Sequence, residues 1–389
     1  MIEPAPNRGP TGRYREFGSG TEAYRAFVPN PLPPPDLPLT AEDIDLMERA
    51  NRALGRLDGI STLLPDRDLF LYLYVRKEAV LSSQIEGTQS SLSDLLQFED
   101  DAVPGVPLDD VVEVSNYVAA LDHGLERLRS GFPLSLRLIR EIHEVLLSRG
   151  RGENKTPGEF RRSLVWLGGS RPWNARFVPP PPDELLGCLH AFETYLHRPG
   201  TPVLVKAALA HVQFETIHPF LDGNGRVGRL LITFLLCAED VLTEPLLYLS
   251  LYFKTHRDEY YERLQRVRTH GEWGEWLRYF LRGVQETSKQ AVDTARDILA
   301  LFEADRQAIR DGAGRSAGSV LQVQEVMQRH PLVSVSDAKT LSGLTYPTVK
   351  SAMERMVDLG IVREVEERSP RAFHYARYLD ILERGTEPL

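Results

Sequence analysis

The chain has 389 residues, enough for two or three domains, and its 42% hydrophobic and 26% charged content is ordinary for a globular protein. A formal net charge of −9 argues against a general polyanion binder, and two cysteines are too few for a disulfide or zinc framework. No segment has the length and apolarity of a signal peptide or membrane span, so a cytoplasmic protein without membrane contact is expected.

Residues 1–39 predict an extended, proline-rich arm. The stretch FVPNPLPPPDLPL is the densest in proline, which fixes φ and lacks the backbone N–H that helices and sheets require. Helical periodicity begins at Thr40, a favourable N-cap with Asp43 in the first turn of the helix.

Apolar residues then recur at helical spacing through most of the chain, which predicts an all-α fold. We divide this part into an N-terminal helical region (40–110) and a catalytic core (111–300). The predicted helices up to the central motif are residues 40–60, 66–85, 108–131, 135–150, 183–199 and 201–217.

One segment of the core departs from helical spacing. Residues 161–182, RRSLVWLGGSRPWNARFVPPPP, place Gly-Gly-Ser between two apolar runs and end in four prolines. Such a pattern predicts a short β-hairpin.

The glycine-rich stretch RDGAGRSAGS predicts a boundary that few contacts cross, so the core is expected to fold without residues 315–389. This last segment resembles a winged helix-turn-helix, with Gly343 in the turn. DNA contacts are conceivable at Thr345, Tyr346, Thr348 and Lys350. However, from Arg315 onward the ten Lys and Arg balance ten Asp and Glu, so a docking or dimerisation role is equally open.

The motif TIHPFLDGNGRVGRLL, from Thr216 to Leu231, combines a histidine, an aspartate, an asparagine, three glycines and two arginines, a mixture that a core segment does not need. Glycines and asparagine at a helix start can form a nest of N–H groups that binds phosphate. Arg226 and Arg229 lie on one side of the following helix and suit a di- or triphosphate. Asp222 fits Mg²⁺ bound together with phosphate oxygens, and His218 fits a general base. The combination predicts transfer from a nucleotide to a hydroxyl.

Other phosphate-transfer classes lack their motifs in this sequence. No GxxxxGK[ST] P-loop and no protein-kinase set is present. IHEVLLSRG has His-Glu without a second histidine four residues after the first, which excludes a zincin motif.

HPFLDGNGRVGR, from His218 to Arg229, resembles the signature of the Fic family, HxFx[D/E]GNGRxxR, at every defined position. The resemblance covers roughly residues 40–290 and implies a helical core with a β-hairpin flap. It also implies Mg²⁺-dependent transfer of AMP from ATP to a Ser, Thr or Tyr hydroxyl of a target protein. His218 would be the base, Asp222 the metal ligand and Phe220 a core anchor. The implied nucleotide-binding set is Gly223, Asn224, Gly225, Arg226, Val227, Gly228 and Arg229, with Arg226 at the β-phosphate and Arg229 at the γ-phosphate.

SSQIEG, at residues 82–87, resembles the family's inhibitory pattern [S/T]xxxE[G/N] through Ser82, Glu86 and Gly87. The glutamate would pair with Arg229, occupy the partner of the γ-phosphate and so inhibit transfer.

Two further segments resemble parts of the family's nucleotide and target site. The segment 157–182 resembles the flap that holds a target by strand addition, which would put Arg176 and Phe177 at the cleft. In DEYYERL, Tyr260 or Tyr261 would pack on adenine, with core packing as the alternative.

The sequence therefore predicts a protein adenylyltransferase that also modifies itself, with a homodimer left open. Two alternatives remain: an enzyme that chiefly removes AMP, with Glu86 positioning a water, and a transcription regulator that senses a nucleotide. The sequence does not decide between ATP and another nucleotide, because the signature contains no adenine contact.

Overall fold

The computed structural model describes residues 11–35, 37, 39–61, 67–100, 108–365 and 371–387. Helices dominate these ranges, which confirms the all-α prediction. They are α1 (Ala41–Ser61), α2 (Arg67–Ile85), α3 (Leu92–Asp100), α4 (Leu108–Arg129), α5 (Leu136–Leu146), α6 (Pro182–Leu196), α7 (Val203–Ile217), α8 (Asn224–Ala238), α9 (Ser250–Thr255), α10 (Arg257–His270), α11 (Trp273–Gly312), α12 (Ala317–Arg329), α13 (Val335–Ser342), α14 (Tyr346–Asp358) and α15 (Ala376–Glu383). No described helix is both long and apolar enough to cross a membrane.

Helix α7 is the centre of the core. Every residue from Leu204 to Ile217 is buried, and the helix packs against α6, α8, α10 and α11. Its closest neighbour is α8, where a Cβ on Gly228 would lie 2.6 Å from Glu215 Oε1. Glycine is therefore required at 228 for the two helices that carry the motif to approach so closely.

The N-terminal segment is a docked hairpin rather than the single extended arm that we predicted for residues 1–39. Strands β1 (Gly12–Phe17) and β2 (Tyr24–Pro29) pair antiparallel, with Gly12 opposite Pro29. Before Pro29 this segment alternates aromatic and polar residues, and Phe17 stacks on Tyr24 with ring centroids 5.3 Å apart. The prolines that led to the prediction follow the hairpin, and residues 1–10 lie outside the described ranges.

The hairpin predicted at residues 161–182 is reduced to one antiparallel bridge. Leu167 and Phe177 exchange backbone hydrogen bonds of 2.8 and 3.1 Å, and a short 3₁₀ turn at Pro172–Asn174 lies between them. No longer strands form there, because Gly168 and Gly169 both have positive φ and Pro172 starts the 3₁₀ turn. We call this segment the flap loop.

The C-terminal segment has the order α12, β3 (Leu332–Ser334), α13, α14, β4 (Arg363–Glu364), β5 (Ala372–His374), α15. The strands form a sheet in the order β3-β5-β4. This order agrees with the winged helix-turn-helix that we predict, although residues 366–370 of the wing lie outside the described ranges. At the start of α14, Tyr346 and Lys350 are exposed.

The expected boundary with few crossing contacts at RDGAGRSAGS is wrong. Helix α11 continues through residue 300 to Gly312, and only a 3₁₀ turn separates it from α12. Residues after α15 also return to the core, where Thr386 O accepts a hydrogen bond of 2.7 Å from Gln84 of α2. The glycines occupy helix ends here, which a composition argument cannot distinguish from a linker.

Candidate active site

The motif loop runs from the end of α7 to the start of α8 and is tightly held. His218 caps α7 in a left-handed conformation (φ 50°, ψ 62°), which is costly for a residue with a Cβ. Gly223, with φ 74°, is the N-cap of α8. The Asn224 side chain closes the loop by accepting from Phe220 N (2.8 Å) and donating to Phe220 O (2.9 Å).

Arg161 stabilises the unusual backbone at His218, a role that the sequence analysis missed. Its guanidinium donates to the carbonyls of His218 (2.8 Å), Ile217 (3.3 Å) and Pro180 (2.6 Å). Because Pro180 lies near the end of the flap loop, the buried Arg161 fixes this end of the loop relative to the motif. Neighbouring carbonyls give no signal in a sequence, so Arg161 looked like any other basic residue.

His143 of α5 braces the other end of the loop. The Gly158 N–H donates to its Nδ1 (2.9 Å), so Nε2 carries the proton and donates to Asp222 O (3.1 Å). The imidazole also stacks on Phe220 with centroids 3.7 Å apart. Burial lowers the pKa of His143 to about 4, which preserves this neutral tautomer. The sequence analysis had used this histidine only to reject a zincin.

A cavity of about 730 Å³ brings together predicted residues from distant parts of the chain. Predicted site residues lining it are Glu86, Arg176, Phe177, His218, Gly225, Arg229, Tyr260 and Tyr261. The other predicted members of the loop do not line it: these are Asp222, Gly223, Asn224, Arg226, Val227 and Gly228.

His218 is neutral in this cavity. Burial, followed by the positive charges of Arg268 and Arg161, lowers the pKa of its imidazole to about 3. Its Nδ1 lies 3.9 Å from Glu215 Oε2, which is too long for a hydrogen bond. Burial also raises the pKa of Glu215 to about 7. A neutral histidine at neutral pH can accept a proton, as a general base must.

Glu86 reaches Arg229 across the cavity. Arg229 donates to Ser82 Oγ (2.8 Å), Ser82 O (2.9 Å) and Glu86 Oε1 (2.8 Å), and its own side chain is 2% exposed. Burial acts to raise the pKa of Glu86, but the charge of Arg229 outweighs it and lowers this pKa, so the carboxylate is ionised. The long-range pairing that the inhibitory pattern implied is present in the structure.

Two residues make this approach of Glu86 sterically feasible. Gly87 has φ +103°, so the chain can turn directly after α2. A Cβ on Gly225 would lie 2.1 Å from Glu86 Oε1, so only glycine admits the carboxylate to the first turn of α8. Arg257 donates to Ile85 O (3.1 Å) and so caps the end of α2 beside the glutamate.

Arg226 is held away from the cavity. Its Nη1 lies 2.8 Å from Glu113 of α4 and its Nη2 lies 3.7 Å from Asp222, with only 3% of the side chain exposed. The sequence analysis missed Glu113, because a glutamate on a polar helix face normally faces water. In this structure Arg226 forms a buried ion pair, and its contact with the β-phosphate stays a prediction.

Three more residues predicted to bind the nucleotide also make structural contacts. The Val227 side chain is fully buried, and its N–H donates to Gly223 O (3.0 Å). Gly228 packs on α7, and the Asn224 amide is occupied by Phe220. What remains for an anion is the set of N–H groups in the first turn of α8, which lack acceptors within the helix.

The structure distinguishes the two tyrosines of DEYYERL. Tyr260 is 1% exposed, and its hydroxyl donates to His211 Nε2 (2.8 Å), since His211 Nδ1 faces Gly228 O (2.9 Å). Tyr261 is only partly buried, and the Arg257 guanidinium lies 5.2 Å from its ring centroid. Tyr261 is therefore the tyrosine with a ring available at the cavity.

The flap loop supplies the opposite wall. Phe177 is buried under the guanidinium of Arg268, which lies 4.3 Å from the ring centroid. Arg176 is exposed, and its carbonyl faces Gln265 of α10 at 3.5 Å. Both residues thus lie where we predicted them, at the cleft.

Asp222 fits a magnesium ion only in company with phosphate. Within the described residues, no group of three His, Cys, Asp or Glu is arranged to hold a metal. The described contacts of Asp222, to Gly223 N (2.6 Å) and Arg226, both use Oδ1, which leaves Oδ2 for a ligand. One carboxylate plus phosphate oxygens is a usual Mg²⁺ environment.

Fold and site together define a helical protein in which a buried histidine adjoins a helix start that has free backbone N–H groups. Residues 44–126 match the model described as Fic/DOC family N-terminal, and residues 133–236 match the Fic/DOC family model. Residues 133–236 therefore belong to the Fic family of domains, and they are preceded by an N-terminal region of the same family.

Relatives and solved structures agree with this membership. The chain is 33% identical over 217 residues to "Protein adenylyltransferase Fic" of Aedes aegypti, and 32% identical over 217 residues to that of Culex quinquefasciatus. Each match covers 54% of this chain and 39% of the relative, so the chain spans about two fifths of the length of these relatives. A crystal structure of a Fic family protein from Desulfovibrio desulfuricans G20 shares the fold, with a TM-score of 0.58, 20% identity, and coverage of 88% of this chain and 98% of that one.

Proposed function

We propose that this chain is a protein adenylyltransferase that transfers AMP from ATP to a Ser, Thr or Tyr hydroxyl of a target protein, and to itself. The observation that carries the proposal is the single cavity in which His218, the first turn of α8 and Arg229 meet. The relatives named protein adenylyltransferase support the reaction class.

In the proposed reaction the hydroxyl oxygen attacks the α-phosphorus of ATP. The new O–P bond forms as the bond from the α-phosphorus to the bridging oxygen breaks, and pyrophosphate leaves. His218 takes the hydroxyl proton, because burial lowers the pKa of its imidazole and the ring is neutral before the step. Before and after this step Arg161 and His143 keep the loop backbone in place.

Phosphate binding in this proposal relies on backbone groups and one arginine. The free N–H groups at the start of α8 receive the phosphates nearest the reacting centre, and Arg229 receives the γ-phosphate. Asp222 would hold Mg²⁺, which when bound neutralises part of the phosphate charge. Arg226 attracts the phosphates only through its positive charge while it is paired with Glu113. It contacts a phosphate directly only if this ion pair breaks.

We infer that the described state is autoinhibited. Glu86 already occupies Arg229, so the γ-phosphate meets a carboxylate where it needs a guanidinium. ATP would then bind in a position unsuited to in-line attack. Ser82 holds the same arginine through two hydrogen bonds and keeps it aimed at Glu86.

One observation also favours AMP removal as a second candidate. About a third of the Glu86 side chain is exposed, in the same cavity as His218, so its carboxylate can orient a water there. Removal would then need Glu86, whereas transfer would be inhibited by it.

The experiment that tests the proposal incubates the full chain with radiolabelled ATP, CTP, GTP or UTP and Mg²⁺. Intact mass then reports whether AMP is added to the protein. The Glu86→Gly variant is assayed in parallel, because it lacks the proposed inhibitor. A Glu86→Gly chain that gains no nucleotide from any of the four would contradict the proposal. Loss of AMP from a modified protein, in the wild type only, would favour removal.

A further inference from the structure

The segment that follows α15 accepts hydrogen bonds from side chains of the core helices α2 and α9. Three side chains donate to four consecutive backbone carbonyls: Lys77 to Arg384 O (2.8 Å), Gln84 to Thr386 O (2.7 Å), and Lys254 to Gly385 O (3.1 Å) and Glu387 O. Lys77 and Gln84 belong to α2, the helix that ends just before Glu86.

The donors are buried, so they depend on these acceptors. Lys77 is 1% exposed, Lys254 6% and Gln84 0%. Burial lowers the pKa of Lys77 to about 8, although the charge of Glu387 opposes this shift. A buried ammonium without an acceptor is strongly unfavourable. The carbonyls of Arg384 and Thr386 therefore help to stabilise α2 in its present position, and those of Gly385 and Glu387 connect the same segment to α9.

The segment is shaped for this site. Gly385 has φ +85°, and a Cβ there would lie 2.7 Å from Leu251 Cδ1 of α9. Thr386 is 1% exposed, and the Glu383 carboxylate accepts from Ser93 N (3.1 Å) of α3. A loosely associated terminus would not need a glycine at a contact or bury a threonine.

Gln84 connects this segment to the inhibitory glutamate. Its Nε2 also donates to Ser90 O (2.8 Å), and so it closes the turn that contains Glu86 and Gly87. We propose that residues 383–387 form a latch that keeps the turn closed and Glu86 on Arg229, so that release of the latch activates the enzyme. This regulation rests on the proposed function.

Helix α15 connects the latch to the C-terminal region, so a movement of that region can reach the latch. It packs against α11, α3 and α2, and it directly follows β5 of the C-terminal sheet. Arg384 also pairs with Asp297 of α11 at 2.7 Å. A displacement of the C-terminal region that moves α15 therefore withdraws the acceptors of Lys77 and Gln84.

Two variants of the full chain test the latch. One removes residues 384–389, and the other is Lys254→Met, which removes two hydrogen bonds to the segment without altering α2. Amide hydrogen exchange of residues 82–90 should become faster in both. Self-AMPylation should rise on the order of five- to thirtyfold, as expected for a coupling of moderate strength.

Two controls separate the latch from general destabilisation. Arg384→Ala keeps the carbonyl that Lys77 uses and removes an exposed ion pair, so its rate should stay within about twofold of the wild type. In a Glu86→Gly background the truncation should give no further gain, because the latch acts through Glu86.

Amide hydrogen exchange at residues 82–90 that is unchanged in both variants would overturn the latch. A truncation that raises the rate of self-AMPylation equally with and without Glu86 would also overturn it. If the truncated chain does not fold, Lys254→Met decides alone. If even Glu86→Gly transfers no AMP, the proposed function fails, whereas the exchange measurement still decides whether the segment holds the turn.

Discussion

Replacing Glu86 by glycine should convert a slow enzyme into a fast one. The change removes one charge-assisted hydrogen bond of 2.8 Å from an arginine that is 2% exposed, and it leaves the two Ser82 bonds that orient the guanidinium. A hydrogen bond to a charged group contributes about 1.5–3 kcal/mol. Since about 1.4 kcal/mol corresponds to tenfold in rate, self-AMPylation should rise on the order of ten- to a hundredfold.

The assay follows the mass increase of the intact chain with time at saturating ATP and Mg²⁺, with initial rates from wild type, Glu86→Gly and Glu86→Gln. The glutamine is the matched control, because it keeps the size and one acceptor oxygen but removes the charge. Its rate should fall between the other two. Adding Arg229→Ala to Glu86→Gly should abolish the gain, since the γ-phosphate then has no guanidinium.

Specific outcomes would refute this reasoning. A Glu86→Gly rate equal to wild type, with ATP bound equally well, would mean that the observed ion pair does not limit transfer. A gain that persists with Arg229→Ala would mean that Glu86 acts on another group, such as His218, which lines the same cavity.

Three further predictions concern the motif and its support. His218→Ala should abolish transfer while ATP affinity, measured by calorimetry in the Glu86→Gly background, stays within about threefold, because the imidazole acts on the hydroxyl; near-wild-type transfer would disprove the base. Asp222→Ala should lower the rate at least about tenfold, with poor recovery at high Mg²⁺, and an unchanged Mg²⁺ titration would count against the metal role. His143 has a folded pKa of about 4, below its value in the unfolded chain, so the unfolded state binds the proton first as pH falls. The free energy of unfolding should therefore decrease between about pH 6.5 and 4, by up to about 1.4 kcal/mol per unit from this residue. Denaturant unfolding of His143→Gln should show a smaller decrease, and an equal slope would contradict the assignment.

The motif was predictable from sequence because its chemistry is local. A histidine, a glycine-rich turn and two arginines within twelve residues define a helix start whatever surrounds them. The contact between Glu86 and Arg229 was predicted instead from the resemblance of SSQIEG to the family's inhibitory pattern, since 143 positions separate the two residues and no periodicity connects them.

The supporting residues could not have been predicted in the same way. Arg161, His143 and Glu113 act through backbone carbonyls or a buried counter-charge, and such partners exist only once helices have packed. The same limit explains why the prediction assigned both Arg226 and Arg229 to phosphates and gave Arg226 no protein partner. Their spacing on α8 is correct, but α4 supplies a glutamate to Arg226, and the turn after α2 supplies a glutamate to Arg229.

The predictions for the proline-rich segment and for the glycine-rich segment differ from the structure for a related reason. Composition records which conformations a residue tolerates, not which contacts the segment makes. Gly12–Phe17 pairs with Tyr24–Pro29 as two strands, and the glycines near 312 lie at the end of a 40-residue helix. Both segments are therefore part of the folded structure and do not act as an arm or a linker.

The contact between Gly225 and Glu86 limits how the chain can change by mutation. The space beside Gly225 admits the carboxylate of Glu86, and in the proposed reaction the same space admits a phosphate. Any side chain at 225 would exclude both, so no substitution there can yield a constitutively active protein. Spontaneous gain-of-function variants selected from a random library should consequently arise at Ser82, Glu86 or the turn that holds them. Position 225 should appear among the inactive clones.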